Sequence, residues 1–376
     1  MKRVCHMTSA HNSDDVRIFH KECTSLAKAG YDVWLVARGG SRDENGVHVL
    51  GVGQPSGGRL SRMTGFARRV YDTALTLDAD IYHLHDPELL PYALKLKRHG
   101  KKVIFDSHED TLNQMSQKQW IPVVIRPFVS VAYRRYAENV FRRLDALISV
   151  TPHVVEELRQ INPHTWMVTN YPKLDEQILV KDKRPEKFTL CFTGGIDEQW
   201  CHAEIIAAIN AVDRVRYVLC GFGAPGYLAE LQGLPGWDKA DYRGKVPHEE
   251  AVRLQRQSDA GMALLKPSNN SGRMRGTLGN TKIFEYMMSG LPVICTDFAL
   301  WQDIIDRYQC GLCIDPTRAD EIIGAIKRLE DDPQEARRMG QNGRRAVEQE
   351  FNWGTQEAKL LELYEDISRK REVRPC

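Results

Sequence analysis

The chain has 376 residues, 42% of them apolar and 27% charged, with a formal net charge of +2. That length suits about two domains of ordinary globular composition, and the near-neutral balance excludes the broad basic field of a nucleic-acid binder. Nine cysteines, odd in number and scattered through apolar runs, read as reduced, buried thiols of a cytoplasmic protein, not as a disulfide framework.

The opening Met-Lys-Arg-Val-Cys-His is basic but has no apolar stretch behind it, so no signal peptide is expected. No run is long and apolar enough to span a bilayer. Residues 4–7 read as a strand and residues 10–15 as a polar loop. Residues 18–29 carry apolar side chains at helical spacing and stop at Gly30. Strands follow at 32–36, 81–84, 103–105 and 146–150, with helices at 89–98 and from Pro152 to about 160. Strands alternating with helices predict a parallel sheet covered on both faces.

The composition shifts at Asn170-Tyr171-Pro172 and through the charged, Pro-containing residues 181–185, the mark of a linker. The alternation then restarts. Strands are expected at 188–192, 216–220, 260–265 and 292–295, and helices at 204–211, 249–257 and 283–289. The tail from Asp320 reads as helical. Two doubly wound units are expected, spanning 1–175 and 176–355, with 356–376 as a final helix. Such sheets bind ligands outside the carboxyl ends of their strands, and a cleft between two of them is the expected place.

Several short motifs invite chemistry. Gly221-Phe222-Gly223-Ala224-Pro225-Gly226 fits a dinucleotide fingerprint, with Asp241 about twenty residues on. Pro225 inside the tight turn makes an NAD-dependent oxidoreductase the weaker reading. Asp78-Ala79-Asp80 matches a metal-binding DxD but leads into a strand, so no metal is expected. The lone Cys310-Gly-Leu-Cys313 lacks two further zinc ligands. Asn280 or Thr281 is placed to cap a helix whose first turn holds Lys282, and a cation is disfavoured at that end. Lys282 and Glu285, three apart, share a face. They form either a surface ion pair or a site where an anion meets a helix start.

The segment TKIFEYMMSGLPVICTD resembles the nucleotide-sugar motif of family 4 glycosyltransferases, the retaining enzymes with the GT-B fold of two Rossmann-like domains facing across a cleft. HMTSAHNSDDVRIFHKECTSLAKAGYDVWLVARGG, DADIYHLHDPELLPYALKLKRHGKKVIFDSHE, VTNYP, FTGGI and FNWGTQEAKLLELYEDI resemble further parts of that family, in its order, along nearly the whole chain. The resemblance implies an N-terminal acceptor-binding domain, a C-terminal nucleotide-sugar domain and a last helix that returns to the N-domain. It implies that Glu285 accepts hydrogen bonds from ribose. The motif's first Glu falls on Thr277, and the Arg/Lys pair usual after the first C-domain strand is missing beyond Gly194-Gly195.

Lys282, Lys266, Arg273 and Arg275 are the cations left to neutralise a leaving diphosphate. The donor side also takes in Gly194, Gly195, Gly221, Gly223, Asn280, Thr281 and Val246. His108 is expected near the transferred sugar, and Asp15 and Arg17 on the acceptor side. His85-Asp86 reads as structural or acceptor-side. The implied activity is retaining transfer from a nucleotide-sugar, UDP ahead of GDP, to a glycan or lipid-linked acceptor, in bacterial surface polysaccharide or glycoconjugate assembly. No cofactor, metal or nucleic acid is implied. Two arginine-rich stretches are open to two readings. They are Arg59, Arg62, Arg68 and Arg69, and then Arg126, Arg134, Arg135, Arg142 and Arg143 among aromatics. Each is a solvated helix face or a peripheral contact with the inner face of a membrane. A non-catalytic subunit of the same fold, binding a partner enzyme or glycan, is the alternative from another class.

Overall fold

The computed structural model describes residues 1–57, 61–108, 110–113, 121–174, 186–268 and 272–369. The expected linker at 181–185 and Arg59 lie outside them, as does the side chain of Arg62. The chain divides into two compact units, Met1–Asn170 with Trp353–Cys376, and Tyr171–Asn352. These divisions fall a few residues before the boundaries expected at 175 and 355.

The first unit is built on eight strands: β1 (Arg3–Asn12), β2 (Asp32–Arg38), β3 (Arg42–Glu44), β4 (Val47–Gly51), β5 (Ile81–Leu84), β6 (Lys102–Ser107), β7 (Ala146–Ser149) and β8 (Thr165–Met167). Their order in the sheet is β3-β4-β2-β1-β5-β6-β7-β8. Every pairing is parallel except β3 with β4. Strand alternation divides the core. Cys5, Met7, Tyr82, Leu84, Val103 and Phe105 face one layer. Val4, Ile81 and Ile104 face the other, which is covered by Leu360, Leu363, Tyr364 and Ile367 of the helix Trp353–Arg369. That helix is tied to the unit by Trp353, whose indole donates to Ser25 Oγ at 3.0 Å. Gln356 Oε1 accepts from the Thr169 N–H at 3.0 Å. The expected helix at 18–29 is present, but its first half, Ile18–Cys23, is π-helical and only Thr24–Lys28 is α-helical.

The second unit holds β9 (Phe188–Thr193), β10 (Val215–Cys220), β11 (Ala240–Gly244), β12 (Ala260–Ala263), β13 (Val293–Thr296) and β14 (Gly311–Ile314). They form one parallel sheet in the order β11-β10-β9-β12-β13-β14. The helix Lys282–Met288 lies directly on it. A Cβ at Gly261 on β12 would come within 2.2 Å of the Tyr286 ring, so only glycine admits that approach. In both sheets the chain winds to one side and then crosses over, between β1 and β5 in the first and between β9 and β12 in the second. Such switch points open a crevice at the strand ends.

Among the described residues no helix is long and apolar enough to cross a membrane. The helix Arg126–Phe141 and the turn before it expose Val123, Val124, Ile125, Phe128, Val131 and Tyr136, with Phe128 77% exposed. Several of its arginines are engaged within the protein. Arg126 donates to the Ile121 carbonyl, Arg134 meets Glu138 and Glu157, and Arg142 meets Glu138.

Candidate active site

In the second unit the switch point is occupied by Lys282. Its ammonium donates to the Thr193 carbonyl at the end of β9, at 2.7 Å. It lies 4.7 Å from the ring centre of Phe192 and 5.1 Å from that of Trp200, where ring quadrupoles attract a cation. Gly194 makes room for it, since a Cβ there would fall 2.0 Å from the Lys282 Nζ. Gly194 and Gly221 have φ of +154° and +151°, and a Cβ on Gly221 would strike the Gly194 carbonyl oxygen at 1.6 Å. Burial pushes the Lys282 ammonium below its ordinary pKa, while Glu285 and Asp197 act in the opposite direction. An ammonium has three N–H donors, and no second acceptor for this one is found among the described residues.

Of the two readings of Lys282 and Glu285, the surface ion pair is not what forms. Lys282 reaches β9 rather than Glu285, and Thr281 uses its hydroxyl on Glu285 Oε1, at 2.6 Å, instead of capping the backbone. Asn280 makes no cap either. Lys282 opens a seven-residue helix, an end that disfavours a cation, and the aromatic rings and the carbonyl are what hold it there. Lys266 follows β12 as expected but is paired with Glu204 at 2.8 Å, so part of its charge is already neutralised. Arg273 is exposed in a short 3-10 turn with φ of +55°. Thr277 is buried, its hydroxyl accepting from the Gly279 N–H at 3.0 Å. Val246 is half-buried against the hydrophobic core. Gly195 has open space around it, and Gly223 packs on Leu228 and Ile196. Asp241 lies on β11 and is met by Arg216 and Arg243, so it does not serve a dinucleotide fingerprint.

In the first unit the predicted residues part ways. Asp15 caps the helix start, its Oδ1 accepting from the Arg17 and Ile18 N–H groups at 2.9 Å each. Arg17 was expected at an acceptor surface, yet it is buried. Its guanidinium binds Asp106 Oδ2 at 2.7 Å and Glu22 Oε1 at 3.0 Å. Burial alone would raise the Asp106 carboxyl, but Arg17 and His108 hold it well below the usual carboxylate range. Burial pushes Glu22 well above that range, more than Arg17 offsets. His108 is half-buried, with Nε2 at 3.3 Å from Asp106 Oδ2 and 3.2 Å from His85 Nδ1.

Sequence reasoning missed the cluster beneath His108. His6, His83 and His85 are buried on one face of β1 and β5, beside Glu22 and Tyr364. The signal was strand alternation. Val4 and His6, then Ile81, His83 and His85, then Ile104, Asp106 and His108 recur every second residue on one face. Asp86, read as structural or acceptor-side, staples the end of β1. Its Oδ2 accepts from Thr8 Oγ1 at 2.8 Å and from the Ser9 N–H at 2.6 Å. Among the described residues two groups have the composition and closeness of metal ligands: His6, Glu22, His83 and His85, and then His85, Asp106 and His108. The Arg17 cation already stands against both carboxylates.

Residues 17–169 match the family model of a glycosyl transferase 4-like domain, and residues 202–362 that of a glycosyl transferase-like domain. The chain is 32% identical over 82 residues to an MMP alpha-(1->4)-mannosyltransferase of Mycolicibacterium hassiacum, covering 22% of this chain and only 20% of that protein. It is 23% identical over 306 residues to the D-rhamnosyltransferase WbpZ of Pseudomonas aeruginosa, covering 77% of this chain and 74% of that one. The solved structure of HepE from Anabaena in complex with UDP and glucose superposes with a TM-score of 0.72 at 13% identity, over 97% of this chain and 100% of that one. The two family models, matched in order across both units, place this chain among the family 4-type glycosyltransferases of the GT-B fold.

Proposed function

We propose that the chain transfers a hexose, with retention of anomeric configuration, from a nucleotide-sugar to a glycan or lipid-linked acceptor. UDP-sugars stand ahead of GDP-sugars as donors, and the assembly of bacterial surface polysaccharide or glycoconjugate is the setting. One observation carries the reading: the Lys282 ammonium, held over two aromatic rings at the end of β9 with N–H donors unspent. Fixed positive charge where charge develops is the largest usual term in such catalysis. In this reading Lys282 meets the diphosphate of the donor. Glu285, with one carboxylate oxygen engaged by Thr281, offers the other to the ribose hydroxyls. The HepE structure, which holds UDP and glucose, supports a uridine donor, and the named transferases of mannose and rhamnose support a hexose.

The first unit takes the acceptor, with His108 directed at the transferred sugar. Front-face attack lets the departing phosphate accept the acceptor's proton, so no side-chain base and no metal or cofactor is required. The apolar surface of Val124, Phe128 and Val131, with Arg135 one turn further along the same helix, fits a peripheral contact with anionic lipid. A second reading, a non-catalytic subunit of this fold, is favoured by the pairing of Lys266 with Glu204 and by the buried Thr277 where the family has a carboxylate. Release of nucleoside diphosphate from a panel of UDP- and GDP-sugars separates the two. Turnover that falls at least tenfold in Glu285→Ala supports the enzyme. Silence across the panel with glycan and lipid-linked acceptors supports the subunit.

A further inference from the structure

The imidazoles under His108 are linked end to end. His108 Nε2 is 3.2 Å from His85 Nδ1. His85 Nε2 is 2.9 Å from His6 Nδ1, and His6 Nε2 is 3.3 Å from Tyr364 Oη. Tyr364 Oη is in turn 2.9 Å from His83 Nδ1. His6, His83, His85 and Tyr364 are fully buried, and only His108 reaches the surface. Burial holds His6 and His83 well below the ordinary histidine range and His85 at about 4, so these rings are neutral at pH 7. A neutral imidazole has one N–H and one lone pair. In an unbroken chain the polarity of one ring therefore dictates that of the next.

Two polarities exist, and Asp106 favours one of them, which the buried partners further in then hold. Arg17 lies against its Oδ2 with two N–H groups, at 3.1 and 2.7 Å, which keeps the carboxylate ionised. The same oxygen faces His108 Nε2 at 3.3 Å. A lone pair aimed at an anion over that distance is repelled, so Nε2 carries the proton. The same Oδ2 stands 3.7 Å from His85 Nδ1, farther than from His108 and beyond hydrogen-bond reach, so its pull on an Nδ1 proton there is the weaker of the two. The remaining groups that face the chain do not reverse this. Glu22 Oε2 stands 3.9 Å from His6 Nδ1 and 3.8 Å from His85 Nε2, beyond hydrogen-bond reach. His11 is held by Asp86 at 3.2 Å. From His108 inward each ring then donates through Nε2: His85 to His6, His6 to Tyr364, and Tyr364 through its hydroxyl to His83. His83 Nε2, at the end of the chain, is buried without a partner.

We infer that His85, His6 and Tyr364 are positioning residues: their buried hydrogen-bond chain, tied to the C-terminal helix, sets His108 as the Nε2–H tautomer and leaves its Nδ1 lone pair to accept a hydrogen bond. Its use in catalysis rests on the reading of His108 as a sugar contact, and a sugar hydroxyl is the chemical class of donor it would take. A metal at His6, His85 and Glu22 is the competing use of the cluster. It would require the Nδ1 and Nε2 lone pairs that the chain consumes. The His6–His85 separation of 2.9 Å is a hydrogen-bond distance, and Arg17 sits 3.0 Å from the same carboxylate, which opposes a second cation.

The test is nitrogen-15 NMR of histidine tautomers in the full chain at pH 7.5, with metal content measured on the same sample. In the wild type, His6, His83, His85 and His108 are all expected as Nε2–H. An Nδ1–H form at His6, His85 or His108 overturns the proposal, and so does one equivalent of bound metal that is lost in His6→Gln. Tyr364→Phe removes the acceptor of the His6 N–H, and a buried donor left unpaired is costly. In that variant the fully buried His6 N–H has no acceptor left, whereas His108 reaches solvent and can rehydrate its Nε2 against Asp106. His6 and His85 are therefore expected to switch to Nδ1–H and His108 to follow. Unchanged tautomers in folded Tyr364→Phe overturn the chain. If the variant does not fold, the wild-type tautomers still decide. Sugar transfer is a separate readout. A tautomer switch with kcat reduced about tenfold at unchanged donor KM supports both parts. A switch with unchanged kcat keeps the chain and removes His108 from the reaction.

Discussion

Each unit holds a singled-out cation, and the two have opposite fates. Arg17, beside β1 and β6, is sealed from solvent and divided between Asp106 and Glu22. Lys282, at the end of β9, rests on Phe192 and Trp200 and spends one N–H on a backbone carbonyl. A cation closed in by carboxylates holds structure together, because removing it leaves buried charge uncompensated. A cation held by rings and one carbonyl keeps most of its field for an incoming anion. Sequence position alone makes both candidates for ligand contact, and partners drawn from distant strands decide which one remains available.

The largest effect is expected from breaking the buried side. Arg17→Met should destabilise the chain by about 3–5 kcal/mol, as loss of one partner from a buried ion pair does. Lys282→Met, which keeps a flexible apolar stem on the two rings, should leave the melting temperature within a few degrees of wild type. Equal destabilisation of the two variants in thermal or urea melts would remove the contrast.

Acid should sharpen it. The buried His6, His83 and His85 have pKa values lowered from the usual histidine value, His85 to about 4. Groups lowered in the folded state contribute stability that is fully present above about pH 6.5 and is lost as the pH falls toward the folded value. Burial raises Glu22, whose contribution runs the other way, present below the usual carboxylate range and lost as the pH rises. Burial also lowers His202, to about 3, while against burial Asp86 raises His11. Four lowered imidazoles thus stand against one raised imidazole and one raised carboxyl, and melting temperature should fall between pH 6.5 and 4. The part from His85 alone is at most roughly 3 kcal/mol. A melting temperature that is flat or rising over that window would contradict neutral, buried imidazoles.

The smallest effect concerns the apolar surface of the helix Arg126–Phe141. Val124→Ser with Phe128→Ser should reduce cosedimentation with phosphatidylglycerol vesicles by several-fold, without altering the melt. Equal sedimentation of variant and wild type would return that surface to simple solvent exposure.

Much of the fold was legible because buried parallel strands read as short apolar runs, as in residues 4–7, 81–84 and 188–192. The strands that went unread are β3, β4, β8, β11 and β14. β3 and β11 are edge strands carrying Arg42-Asp43-Glu44 and Asp241-Tyr242-Arg243, whose exposed faces erase the apolar pattern. β8 and β14 also lie at the sheet edges, with three and four residues each. At the site, Lys282 and Glu285 were singled out by their spacing, but the partner of Lys282 is a carbonyl 89 positions away, which no local window contains. Arg17 looked like a loop charge because Asp14 and Asp15 precede it, while Asp106, also 89 positions away, holds it. The imidazole chain was written in the period-two spacing of three strands. It becomes visible only when those strands are laid side by side.

Calorimetric titration of UDP into the wild type and into Lys282→Met tests the central claim most directly. A hydrogen bond to a charged group contributes about 1.5–3 kcal/mol, so the substitution should weaken UDP binding by about tenfold or more, with uridine alone affected little. Equal affinity of the two proteins for UDP would show that the diphosphate does not meet this lysine, and would contradict the account.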